Sequence, residues 1–160
     1  MKLHSCLRLQ GVEKQLAMSK YLHSGAITPA LISAEIKNLS LRKDTGAHSI
    51  FLGQVRDDLS KDRKVKLIDY SAYGEMVETE VEKIKEIIRS EFKDVLEIII
   101  VHSTGTVKAG EISMFVLVSA GHRKHAISAC QKSVELIKER LPVWKKEIFE
   151  DNSHKWQENK

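Results

Sequence analysis

The runs LEIIIVHSTG (residues 96–105) and ISMFVLVSAG (residues 112–121) decide the fold class of this chain. Each is a short, strongly apolar and β-branched stretch that ends at a glycine, the pattern of a buried strand. The connection between them carries Gly105 and Gly110 and is short enough for a hairpin, so the two strands are expected to run antiparallel. Immediately downstream, the spacing of Ile127, Cys130, Val134, Ile137 and Leu141 predicts a helix over 122–141 with one apolar stripe. Immediately upstream, Val77, Val81, Ile84, Ile88 and Phe92 predict another over 75–92.

Further out, AHSIFLGQVR (47–56) reads as a strand with Gly53 inside it, which marks a bulge or a close backbone approach. A second strand is expected over 65–73. Thr28-Pro29 reads as an N-cap followed by proline in the first helical position, opening a short helix to Leu39 that carries Leu31, Ile32 and Ile36. VWKKEIFE (143–150) reads as a last extended segment. The order α-β-β-α-β-β-α-β predicts an α+β sandwich, helices packed on a mostly antiparallel sheet. Residues 1–25 have no clear period and are treated as an extension of unknown order. Residues 26–150 form one expected domain, and 151–160 a polar C-terminal tail.

The 160 residues suffice for a single domain with a real core, and 42% hydrophobic with 30% charged residues is ordinary globular composition. A net charge of +4 and a pI near 9.0 suit anionic ligands without requiring nucleic acid. The excess is local: from His122 to Lys146 there are seven Lys/Arg against only Glu135 and Glu139. No apolar run is long enough for a membrane span. The N-terminus lacks the apolar core of a signal peptide, so a cytoplasmic location is expected. Cys6 and Cys130 form neither a metal spacing nor a disulfide framework, and Cys130 falls on an apolar helix stripe, as a buried free thiol would.

The basic segment LIKERLPVWKKE (136–147) is the richest candidate site. It reads as a helix end, a proline stop, and a tryptophan flanked by lysines. Lysines at a helix C-terminus also complement the dipole without any ligand. Ser119-Ala-Gly-His122-Arg123 leads from a strand into a helix N-terminus, where free N–H groups, His122 and Arg123 together make an anion site. Their positive charge opposes the dipole there, a misfit that favours function. His122 and His125 stand three apart at that helix start, where they could grip a metal, but no nearby carboxylate or cysteine is expected to complete the set. Gly105–Gly110 begins like a phosphate-binding loop, yet Glu111-Ile112 replaces the required Lys-Ser/Thr, leaving a hairpin connection. Arg56 closes the first strand. No nucleophile elbow is present, and strands this aliphatic offer little for base stacking.

Read together, Gly46-Ala47, FLGQVR (51–56), YSAY (70–73) with Met76, HSTG (102–105), Gly110-Glu111, SAGHR (119–123), Leu136-Ile-Lys138, PVWKKE (142–147) and Trp156 occur in an order that closely resembles the large, catalytic subunit of molybdopterin synthase. The resemblance covers about residues 26–157. It implies an α/β hammerhead fold and a homodimer at the core of a heterotetramer. Each protomer would bind a small ubiquitin-like sulfur-carrier subunit, whose Gly-Gly C-terminus enters a pocket as a thiocarboxylate. Two sulfurs would pass to cyclic pyranopterin monophosphate and form the molybdopterin dithiolene, with no metal or other cofactor. Lys138 and Lys145 match the family's active-site lysines. Arg56, His122 and Arg123 match its substrate-anion contacts. Ser71 stands where glutamate is common, Ser103 where arginine is common, and Ala120-Gly121 makes a more flexible turn than usual. Clustered cations destabilise one another's charged forms, so one lysine should be tuned for proton exchange. Lys138 is assigned that role and Lys145 anion stabilisation, the reverse staying open. Pro142 is expected to stop the helix so that both amines face inward.

Overall fold

The structure, a computed structural model, describes residues 19–157. Its elements are β1 (Leu22–Ser24), α1 (Pro29–Leu39), β2 (Ala47–Gln54), β3 (Leu59–Ser60), β4 (Arg63–Ala72), α2 (Gly74–Glu91), β5 (Val95–Lys108), β6 (Ile112–Ala120), α3 (Arg123–Arg140), β7 (Val143–Phe149) and β8 (His154–Gln157). The strands form one sheet in the order β2-β6-β5-β4-β7-β8, with every neighbour in that path antiparallel. This is the expected α+β architecture of helices on a mostly antiparallel sheet.

The hairpin of β5 and β6 is the centre of the fold, and the alternation of β6 builds two cores at once. Val116, Val118 and Ala120 point to the face covered by α2 and α3, where Val77, Val81, Ile84, Ile88, Val134 and Ile137 are buried with them. Phe115 and Leu117 point the other way and pack with Ile27, Leu39, Leu31 and Ile32 around α1. A strand buried on both faces has no polar alternation, which is why ISMFVLVSA reads as one continuous apolar run. Thr28 caps α1, its Oγ1 accepting from the Leu31 N–H at 3.3 Å.

Several expectations need correction. The connection between the two apolar strands is shorter than Gly105–Gly110, because β5 continues to Lys108. Gly105 is inside the strand at φ +71°, a left-handed conformation that glycine adopts without cost. There β5 changes partners, pairing with β6 over Val95–His102 and with β4 over Gly105–Lys108. The glycine is thus a bend between two halves of the sheet. On α3, Ile127 is 58% exposed and outside the core. The inward stripe is Ala126, Ala129, Cys130, Ser133, Val134 and Ile137, whose small residues let the helix approach the sheet closely.

Three short strands have no counterpart in the sequence expectation. β1 pairs in parallel with His102–Thr104 of β5, and Ser19 and Tyr21 just before it are buried. β3 closes a tight hairpin onto β4, and β8 adds an edge to β7 through Lys145–Ile148. The rest of the N-terminal extension, with Cys6, lies outside the described residues.

Candidate active site

His102 of β5, the end of α3 and the start of β7 together border a cavity of about 840 Å³. Its floor comes from β2 and β6 (Phe51, Gly53, Met114), one wall from α3 and the residue after it (Ile137, Lys138, Leu141), and the other from β4 and β7 (Ile68, Tyr70, Val143, Lys145). α3 stops at Arg140 and β7 starts at Val143, so Leu141-Pro142 is the whole turn between them. That tight reversal lets Lys138 on the helix and Lys145 on the strand line the same space. Lys145 is directly opposite Tyr70 in the β4–β7 ladder, on the cavity face, while the neighbouring pair Asp69–Lys146 points away and forms an ion pair at 3.1 Å.

Gly53 keeps the floor low. A Cβ there would come within 3.1 Å of the Met114 Cβ, and the β2–β6 register shifts between Gly53 and Gln54. Beyond the shift, Arg56 and Asp58 stand at the rim, joined by an ion pair at 2.8 Å between mostly exposed side chains. Lys138 Nζ is 5.9 Å from the centroid of the Phe51 ring, close enough for a weak cation–π contact.

The electrostatics distinguish the two lysines. Lys145 is half-buried, and burial pushes its ammonium below the ordinary lysine range; the charge of Lys138 pushes the same way, against the pull of Glu147. The same wall holds His102, only 6% exposed, whose ring meets Tyr70 edge to face at 5.2 Å between centroids. Burial pushes the His102 pKa down to about 4; its hydrogen bond to the Ser103 carbonyl opposes the shift, and the charge of Lys145 adds to it. The Tyr70 hydroxyl donates to Ser113 Oγ at 3.1 Å, which fixes the ring between strands.

His122 and Arg123 are elsewhere. They occupy the N-terminal end of α3, and Lys138 lies fifteen residues further along the same helix, about 22 Å at 1.5 Å per residue. Both side chains are exposed. His122 is held by Asp94, which accepts its backbone N–H at 2.8 Å and faces its Nδ1 at 3.1 Å. The turn beneath is closely packed: a Cβ on Gly121 would be 2.6 Å from Asp94 Oδ1, and one on Gly46 would be 2.1 Å from the Gly121 carbonyl. Burial alone would raise the Asp94 pKa, but the hydrogen bonds and charge of His122, with His125, hold it below the usual carboxylate value. His125 Nδ1 is 3.4 Å from the same carboxylate. Among the described residues, no three His, Cys, Asp or Glu side chains are grouped to hold a metal ion.

The chain therefore gathers Lys138, Lys145 and Arg56 around one cavity and sets His122-Arg123 apart. Asp94, Tyr70 and His102 belong to these two places and are not among the residues that the sequence marks as a site. A signal for His102 is nonetheless present: it is a polar residue ending the apolar run of β5, where a buried imidazole needs a reason.

A family model for MoaE protein matches residues 27–140, a span that runs from the bridge before α1 through α3. The chain belongs to the MoaE family. Its relatives within that family include the molybdopterin synthase catalytic subunit of Taeniopygia guttata, 36% identical over 126 residues, covering 79% of this chain and 80% of that one. The subunit of the same name from Drosophila melanogaster is 35% identical over 139 residues, 86% of this chain but 38% of the fly protein. The chain thus spans well under half the length of the fly relatives it matches. The crystal structure of molybdopterin synthase from Staphylococcus aureus superposes with a TM-score of 0.76 at 31% identity, covering 86% of this chain and 96% of that one. A MoaE protein from Burkholderia ambifaria, at 24% identity and a TM-score of 0.69, shares the fold.

Proposed function

We propose that this MoaE-family chain is the catalytic subunit of a molybdopterin synthase, a sulfurtransferase of molybdenum cofactor biosynthesis. A small ubiquitin-like sulfur-carrier subunit would insert its Gly-Gly thiocarboxylate tail into the cavity, and sulfur would pass to cyclic pyranopterin monophosphate to build the dithiolene. The observation that carries this is the convergence of Lys138 and Lys145 on one cavity, with Arg56 at its rim. Two anions must meet for this reaction, and a cavity lined by cations on an otherwise apolar floor suits that meeting. No helix among the described residues is long and apolar enough to cross a membrane. The reaction's small soluble substrates fit a cytoplasmic enzyme.

The burial of Lys145 favours the reverse of the assignment drawn from sequence. Its lowered pKa suits it to exchange protons as sulfur adds to the pterin and the acyl–sulfur bond breaks. Lys138, exposed and against Phe51, is then left to hold the incoming carboxyl end. His122-Arg123 is too far along α3 to serve the same chain's cavity. In a homodimer, the turn of one copy would supply the substrate-anion contacts for the other.

The test is reconstitution of the chain with a thiocarboxylated small subunit and the cyclic pterin, followed by assay for the dithiolene. Turnover should require Lys138: Lys138→Ala abolishes product while leaving the circular dichroism unchanged and small-subunit binding, which does not rest on the tail's last carboxyl alone, largely intact. Near-normal turnover by that variant would remove the cavity from the reaction.

A further inference from the structure

His102 is buried and ionisable, and it has no part in the sulfur transfer proposed for the two lysines. Its Nδ1 is 2.9 Å from the Ser103 carbonyl, and a carbonyl only accepts, so Nδ1 carries the ring proton. Nε2 is then a lone-pair acceptor. It makes no hydrogen bond among the described residues, and His102 lines the cavity shared by the two lysines. An occupant that shut solvent out and left this nitrogen unmet would incur a cost that a phenylalanine stacked on Tyr70 would not. An acceptor that meets no protein donor and opens on a cavity is served by solvent while the cavity is open, and needs a donor from whatever displaces that solvent.

The cavity's other features narrow that donor. Arg56 and the ammonium groups only donate, and the Lys145 amine, when it gives up its proton, is committed to the proposed proton exchange, so the three suit the carboxyl end of an occupant and not its N–H groups. The carboxylates on the lining, Asp58 and Glu147, could accept an N–H only by bringing negative charge towards that same carboxyl end. Asp58 is already engaged by Arg56. An uncharged acceptor avoids the conflict. Burial keeps His102 neutral well below physiological pH, so the lone pair stays available whenever the enzyme works.

We propose that His102 is a recognition residue whose Nε2 accepts a backbone N–H from the terminal diglycine of the sulfur-carrier tail, beside the lysines that hold its carboxyl end. This rests on the cavity being the tail site. It gives diglycine a chemical meaning here: glycine can enter a narrow cavity, and its amide still presents an N–H, which proline or an N-alkylated residue would not.

The test uses the full chain and a fluorescent synthetic peptide ending in Gly-Gly, with binding followed by anisotropy. Two further peptides carry an N-methyl group on one or the other glycine nitrogen. One of them should bind the intact protein about tenfold or more weakly, the usual penalty for an unmet buried partner. His102→Phe should weaken the unmodified peptide by a similar factor and become indifferent to that methyl group. His102→Gln, which keeps an acceptor, should recover part of the loss. Melting temperatures of both variants separate misfolding from lost recognition, and the methylated peptides test the wild-type protein with no mutation at all. If methylation weakens binding equally in the intact protein and in His102→Phe, the effect is steric and His102 is not the acceptor. If neither methyl group matters to the intact protein, the inference also fails. Absence of saturable binding of the unmodified peptide to the intact protein would instead overturn the tail site itself.

Discussion

Acid should destabilise this fold through His102 in a way that can be isolated from every other titration. The imidazole has an ordinary pKa of 6.5 when unfolded and about 4 in the buried wall of the cavity. Between those values the unfolded chain binds a proton that the folded chain does not, so stability falls as pH falls. From pH 7 to pH 4 the loss works out at about 3 kcal/mol, taking about 1.4 kcal/mol for each tenfold difference in proton affinity and allowing for half-titration of the folded state. By pH 5 it has already reached about 2 kcal/mol. Two groups flank the ring: Lys145, whose charge deepens the depression, and Tyr70, which is neutral throughout this range. Carboxylates elsewhere also titrate near pH 4, so the measurement is a difference. Urea unfolding curves for the wild type and His102→Phe are collected from pH 7.5 to 4, and the gap between their stabilities is plotted. That gap should close in favour of the variant as pH falls, with a slope reaching towards one proton between pH 6 and 4.5. A gap independent of pH would mean that the folded state protonates His102 as easily as the unfolded one, and His102 would then not be a neutral acceptor.

Phe149→Ala, at a fully buried side chain where β7 meets β4, should cost about 3–5 kcal/mol in the same urea assay. Lys145→Arg keeps the charge but cannot release a proton near neutrality, so dithiolene formation should drop by about a hundredfold or more if Lys145 exchanges protons. A mild loss in that variant, with a severe one in Lys138→Arg, would return the proton-transfer role to Lys138. Gly121→Ala pushes a methyl group against the Asp94 carboxylate and should release His122, raising KM for the pterin more than it lowers kcat; an unchanged KM would detach that turn from the substrate. Mixing Lys138→Ala copies with Arg123→Ala copies before assay should restore about a quarter of the sites if the two ends of α3 serve different cavities across a dimer. No recovery in a mixture shown to exchange subunits would put both residues in one site.

The parts of this fold visible in the sequence are those whose burial has a period. β5 and β6 are apolar because both faces are covered, and α2 shows its stripe because only one face is: Val77, Val81, Ile84 and Ile88 are all buried. α3 misled at Ile127 because its contact with the sheet is made by alanine and serine, which no hydrophobic scale marks as a core face. β1, β3 and β8 are between two and four residues long and carry no pattern that could be distinguished from a loop. Their strand character comes from the partner they lie against, so only the assembled sheet reveals it. The bend at Gly105 is of the same kind: a glycine in a strand announces an irregularity, but which two strands it divides between is a property of the sheet.

The site separates along the same line. Lys138, Pro142 and Lys145 are close in sequence, and a helix stop between two lysines is readable as a local device. Their shared cavity follows from a two-residue turn. His102 is thirty-six residues from Lys138, and its exposure, its tautomer and its neutrality are set by Tyr70, Ser103 and the far strand that carries Lys145. A cation announces itself by its presence, whereas an acceptor is made by what surrounds it. On the function proposed above, the lysines ask for an anion in the cavity. If His102 is the acceptor proposed above, it adds a requirement they cannot express, that the same occupant bring an N–H with it, and this second demand would separate a diglycine tail from any other carboxylate small enough to enter.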